Sequence, residues 1–307
     1  MVQRFTWRQI AKYLAVILAI VACIILFRDI YQKDISYIAN DESLNLAVID
    51  GIVQAKDVVI KDEIKAVVVP HHLVASKSIA LGIKSIAKSN PKLVVVISPD
   101  HFKYCSKMFC TSKGQFETYF GNSLISNEVV EKILNSKDIM GSSKLFSLEH
   151  GIFTIIPFIK YYIPDAEVVP IVVSQKGRGS SYQREEILRI LKPIIVQDNV
   201  ALVISSDFSH YLPLDESNVM DELTSKSFCT GNSDEILNLK NPSQSDCPLC
   251  LWILEQTAKQ LDFWNPSIGI HTNSANLMRD VSAKETTSHF MITLSEIDSD
   301  DKCILND

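Results

Sequence analysis

The chain has 307 residues, 47% of them hydrophobic and 21% charged, with a formal net charge of −6. That balance suits one large globular domain or two small ones. The 10 glycines exclude collagen-like and glycine-linker sequences, and with no basic stripe no nucleic-acid partner is expected.

In chain order, the first feature is YLAVILAIVACIILF, Tyr13 to Phe27, which carries no charge and follows Arg4, Arg8 and Lys12. A helix crossing ~30 Å of hydrocarbon needs about 20 mostly apolar residues. Trp7, Tyr13 and Tyr31 supply interfacial flanks. Residues 1–30 therefore read as one uncleaved transmembrane anchor, with an extracytoplasmic domain after it. A lipoprotein processing site at Cys23, in IVAC, is the alternative and would also tether the domain to a membrane. Residues 31–60 are mixed and polar, and read as a juxtamembrane linker with room for one short helix.

A regular pattern occupies residues 61–295. KAVVV, KLVVVIS, EVVPIVV and VALVISS are β-branched runs suited to strands buried on both faces. Between them, SKSIALGIKSIAKSN spaces Ile79, Ile83, Ile86 and Ala87 along one helix face and stops at Asn90-Pro91. HGIFTIIPFIKYYI, with a kink at Pro157, and QREEILRILKPIIV read as further helices, and SHFMITL as a late strand. Strands alternating with helices predict an α/β fold with a mostly parallel central sheet flanked by helices. The last residues, 296–307, form an acidic, solvated tail. Among the 7 cysteines, Cys105 and Cys110 are spaced to close a small loop, and CPLC, Cys247 to Cys250, has redox-motif spacing without a second such pair.

Ligands of such sheets sit at the carboxyl ends of the strands. VVVP leads to His71 and His72, VVVISPD to Asp100 and His101, and VALVISSDFSHY to Asp207 and His210. A lone histidine is most often a hydrogen-bonded structural residue. Three apolar strands that each run into histidine point instead to a shared polar site.

These segments resemble Memo-like proteins, called AmmeMemoRadiSam system protein B in bacteria, which are similar to class III extradiol dioxygenases. The resemblance runs from about Lys65 to Leu294 and rests on VVVPHH, VVVISPDHF, LEHGIFTIIPFIKYYIPDAEVVPIVV, VISSDFSHY and AKETTSHFMITL. It implies a metal held by His71, His101 and a third side chain at the start of a late helix. Aligning LCLWIL without a gap puts Asp246 at that third position, with Cys247 one place later as the alternative. Two imidazoles and a carboxylate favour Fe(II), with zinc, manganese or copper as alternatives, whereas a thiolate would favour zinc or copper(I). Asp246 also precedes Pro248, so a helix cap is its structural alternative.

The resemblance further casts His210 as an acid/base, a role an imidazole fills near neutral pH. Asp207 would orient it or cap a helix, and His72 would be a pocket residue beside the ligand His71. His289 reads as structural. Asn273, Thr286 and Thr287 either line the pocket or cap turns. Two departures stand out. Gly151 and Phe153 replace a serine and a glutamate of the family segment, and LVA after His72 replaces a glycine and tyrosines, implying a more apolar wall.

Two function classes follow. One is a dioxygenase-like, non-haem metal oxidoreductase, by fold analogy. The other is a non-catalytic module that holds a small molecule or peptide in the same cleft. The resemblance also implies radical S-adenosylmethionine and AMMECR-type system partners.

Overall fold

The computed structural model describes residues 35–296 except 61 and 281, together with Val16 and Cys303. The first part runs β1 (Ser36–Ala39), α1 (Glu42–Ala55), β2 (Ala66–Val69), a 3-10 turn (Leu73–Ala75), α2 (Ser76–Ala87), β3 (Leu93–Pro99), β4 (Phe109–Thr111), β5 (Gln115–Thr118) and β6 (Gly121–Leu124). Next come α3 (Asn127–Leu134), β7 (Ile139–Gly141), α4 (Ser143–Phe146), α5 (His150–Phe153), α6 (Ile156–Tyr162), β8 (Glu167–Val173) and α7 (Ser181–Ile195). The remainder is β9 (Val200–Ser205), β10 (His210–Leu212), α8 (Leu214–Thr230), α9 (Ser233–Leu237), α10 (Pro248–Gln260), β11 (Pro266–Asn273), α11 (Ser274–Met278) and β12 (Thr286–Leu294).

The main sheet has nine strands in the order β10-β12-β2-β9-β3-β8-β4-β7, with β11 beside β12. Its centre, β2-β9-β3-β8, is parallel, and these are the four β-branched runs. β2 and β9 are buried at every residue, as continuous apolar runs require. The expected mostly parallel sheet is corrected to a mixed one. β12 pairs antiparallel with β2, β10 and β11, and β4 pairs antiparallel with β8. An apolar run specifies burial on both faces but not direction, so the sequence pattern could not distinguish these edges.

Helix α2 lies close on β2 because Gly82 leaves the room. A Cβ there would stand 2.3 Å from Val69 Cγ1. The stretch expected as a linker is also corrected. From Ser36 it is part of the fold: β1 pairs with β5 in a three-stranded sheet, and α1 buries Leu44, Val48, Gly51 and Ala55. The expected kinked helix is two helices, α5 and α6, with Pro157 in the first turn of α6. Cys303, in the expected solvated tail, is bonded to Cys229, and Cys105–Cys110 and Cys247–Cys250 are also disulfides.

The membrane expectation is corrected too. No helix among the described residues is long and apolar enough to cross a membrane. The segment behind that expectation, Tyr13 to Phe27 with Cys23 inside it, lies outside the described residues apart from Val16. An uncharged apolar run is a necessary condition for a span and not a sufficient one.

Candidate metal centre

Adjacent parallel strands lie about 4.8 Å apart, so side chains just past their ends can meet. β9 lies between β2 and β3. Asp207, beyond β9, is therefore flanked by His71 beyond β2 and His101 beyond β3. The fourth contributor is Asp246, immediately before α10. Its backbone N–H donates to Asp207 O at 3.1 Å, and its carbonyl accepts from Gln175 Nε2 at 2.8 Å and Asn241 Nδ2 at 2.7 Å. These bonds lock the loop before α10 to the sheet.

Three donor atoms converge. Asp246 Oδ2 lies 3.3 Å from His71 Nε2 and 3.6 Å from His101 Nε2. The opposite atom of each side chain is already held. His71 Nδ1 meets Ser205 Oγ at 3.1 Å, His101 Nδ1 meets Glu149 Oε1 at 2.6 Å, and Asp246 Oδ1 accepts from Ser206 Oγ at 2.7 Å. Asp246 Oδ2 is buried yet accepts no hydrogen bond. A buried carboxylate oxygen left bare is costly unless something charged faces it. A cation bound by His71, His101 and Asp246 fits this donor set, with outer partners orienting each ligand.

The electrostatics agree. Glu149, Asp207 and Asp246 are all buried, and among the described residues no lysine or arginine pairs with them. Burial opposes charge on His101, but the carboxylates of Asp246 and Glu149 outweigh it and raise the imidazole to about 10. Burial and the neighbouring His71 and His101 push His150 down to about 4. Burial also opposes ionisation of Asp207, yet His71 and His289 hold it below the usual carboxylate range.

Other sequence-derived residues fall as follows. Asp207 does not orient His210. It meets His71 Nε2 at 3.3 Å, His72 Nδ1 at 3.7 Å and His289 Nδ1 at 3.1 Å. His210 stands on β10 rather than at the β9 mouth, and its Nδ1 faces Phe208 O. Cys247 is joined to Cys250, and it is Cys247, not Asp246, that occupies the N-cap position of α10, without a side-chain cap. Asn273 caps α11 through Asn276 N, and Thr286 Oγ1 bonds Ser274 Oγ and Ala275 N. Asp100 caps the backbone N–H groups of Tyr104 and Cys105.

Sequence reasoning missed Glu149 as the partner of His101, His150 against the rings of His71 and His101, and His289 against Asp207. LEHGIF held the signal for the first two, an acid and an imidazole side by side at a helix start. Gly151 also has a local reason. A Cβ there would stand 2.0 Å from Ser98 Oγ and 3.2 Å from Glu149 Oε1, so any side chain at 151 requires Ser98 Oγ to move.

A cleft of about 1000 Å³ opens over the His101 and Asp246 side. It is lined by Lys103, Gln175, Arg178, His210, Lys240 and Asn241 among others. Leu73, Val74 and Ala75, expected to form an apolar wall, do not line this cleft.

Residues 35–250 match the Memo-like protein family. The chain belongs to that family. A MEMO1 family protein of Pyrobaculum aerophilum is 29% identical over 192 residues, covering 61% of this chain and 67% of the relative. A MEMO1 family protein of Aquifex aeolicus is 28% identical over 176 residues, covering 56% of this chain and 64% of the relative. Among solved structures, an uncharacterized protein from Escherichia coli K12 has a TM-score of 0.47 at 12% identity, covering 76% of this chain and all of that one. The Memo-like fold is consistent with the relation to extradiol dioxygenases suggested by the motifs.

Proposed function

We propose that this Memo-like protein holds a divalent ion, Fe(II) before zinc, manganese or copper, on His71, His101 and Asp246, and acts on a small molecule in the adjoining cleft. The observation that carries this reading is the convergence of two ring nitrogens and one bare, buried carboxylate oxygen, each with its opposite atom already held. A facial set of two imidazoles and a carboxylate leaves open positions, and the ion would supply redox or dioxygenase-like chemistry there.

The chain's own groups then have separable tasks. Ser205 and Glu149 fix the ring orientations of His71 and His101. His210 faces a carbonyl through Nδ1, so that nitrogen carries the proton and Nε2 is left as the basic atom. From the cleft wall it would take a proton from bound substrate and return it. Lys103, Arg178 and Lys240 give the cleft a positive wall suited to an anionic group on that substrate.

The test is metal content after anaerobic purification of the full chain, alongside His71→Ala and Asp246→Ala. Metal in the wild type that is lost in both variants is expected. A folded wild type without affinity for any first-row divalent ion would falsify the reading. A metal-loaded protein that binds small anions in the cleft without turning any of them over would favour the non-catalytic binding module.

A further inference from the structure

The metal centre makes no use of CPLC, Cys247 to Cys250, at the start of α10. We propose that the Cys247–Cys250 disulfide is a redox site, opened by a small thiol that enters the adjoining cleft. Neither sulfur belongs to the donor set of His71, His101 and Asp246, so the inference stands apart from the proposed function.

Position is the first ground. Cys247 stands in the wall of the cleft of about 1000 Å³, whereas Cys250, three residues further along α10, is fully buried. Cys247 is therefore the end of the bridge that a molecule in the cleft can meet. It is only 3% exposed, so a small thiol reaches it more readily than a thiol on the surface of another folded protein. The other two bridges differ. Cys105 and Cys110 are both fully buried and do not line this cleft, and Cys229–Cys303 joins α8 to Cys303.

The bridge is also the one that the fold needs least. In the chain-entropy account a disulfide stabilises by closing a loop in the unfolded chain, and more for a longer loop. Cys247–Cys250 has a sequence separation of 3, against 5 and 74 for the others. The start of α10 is held without it. Cys247 N–H donates to Ser245 Oγ at 3.0 Å, and Leu251 N–H donates to Cys247 O at 3.2 Å. Pro248 fits the first turn, and Leu249, Leu251, Ile253 and Leu254 bury the helix face. The opened pair therefore keeps its backbone and stays poised to close again.

The chemistry is a thiol–disulfide exchange. The thiolate of the entering molecule bonds to Cys247 Sγ, the Cys247–Cys250 bond breaks, and Cys250 leaves with the electron pair and takes a proton from water. A second thiol then displaces Cys247 from the mixed disulfide. Two small thiols are oxidised to one disulfide, and the protein bridge is reduced to two thiols by the same two electrons. Run backwards, a small disulfide closes the bridge.

The test treats the folded full chain with dithiothreitol, quenches with iodoacetamide and maps the alkylated cysteines by peptide mass. Circular dichroism follows the fold alongside. Cys247 and Cys250 should be alkylated while the chain is still folded, at least about tenfold faster than Cys105 and Cys110. Glutathione disulfide should then restore the bridge. In Cys250→Ser, Cys247 should form a one-to-one mixed disulfide with glutathione, and in Cys247→Ser, Cys250 should not. A bridge that opens only as the chain unfolds, or capture of glutathione by Cys250 instead of Cys247, overturns the proposal. The wild-type measurement decides even if a variant does not fold. Neither readout depends on a bound ion, so this inference and the proposed function fail separately.

Discussion

The two halves of the histidine cluster are assembled by different routes. His71 and His101 stand just past the ends of neighbouring parallel strands, where each leaves the sheet toward a common face. His289 stands inside β12, in a strand antiparallel to β2, opposite Thr272 of β11 and facing Asp207. The first half sits beside the open cleft, and the second is buried except at His72. Parallel strand ends present side chains together whatever their loops do. A mid-strand imidazole joins a site only if its face, register and neighbouring strands all agree.

The sharpest way to break this comparison is to remove a first-half ligand. Asp246→Ala should weaken the His101-dependent ion by about 1000-fold or more, because it deletes a charged donor and leaves two imidazoles. Cys247→Ala should leave that affinity nearly unchanged, since Cys247 is bonded to Cys250. Equal losses in the two variants would transfer the ligand role to the cysteine.

A smaller effect is expected one bond further out. Glu149→Gln keeps the shape but removes the charge that holds His101 Nδ1, and should cost about 10–100-fold in affinity for an ion at His71, His101 and Asp246. An unchanged affinity would show that Glu149 does not orient His101.

Acidity separates them further. His101 binds metal only after losing its proton, and in the metal-free protein its imidazole is raised from 6.5 to about 10. Affinity for an ion at His101 should therefore fall about tenfold for each pH unit below about 10 and level off above it. The stability that the protonated ring gives the metal-free fold has the same origin and sign. It is fully present below 6.5 and is lost as pH rises through about 10. Metal titrations between about pH 6 and pH 9 would check the slope; a flat profile would mean that His101 is not a ligand.

The smallest expected effect leaves the donors intact. Gly151→Ala pushes a methyl toward Ser98 Oγ, 2.0 Å away, and should cost about 1–3 kcal/mol in urea unfolding. Ser98→Ala in the same chain should recover part of that loss. If Gly151→Ala is neutral, the family's serine was not excluded by packing.

Much of the first half is legible in the amino-acid sequence. Continuous β-branched runs mark β2, β3, β8 and β9, and histidines follow close behind the ends of β2 and β3. The helical spacing of SKSIALGIKSIA matches α2. Asp246 follows from aligning an apolar helix with the family resemblance. The second half is hidden, because His289 sits in SHFMITL, where the apolar pattern says strand and nothing about neighbours. Glu149 is visible only as part of a motif and not as the partner of a residue 48 positions away.

The sequence by itself determined which segments are buried strands and amphipathic helices, and which residues follow the strand ends. These are matters of local period and side-chain type. Tertiary structure alone decided that β9 enters between β2 and β3, that β12 runs antiparallel, and that Asp207 faces His71, His72 and His289 rather than His210. Strand order and direction depend on contacts between segments far apart in the chain, and the side-chain pattern within one segment carries no record of them.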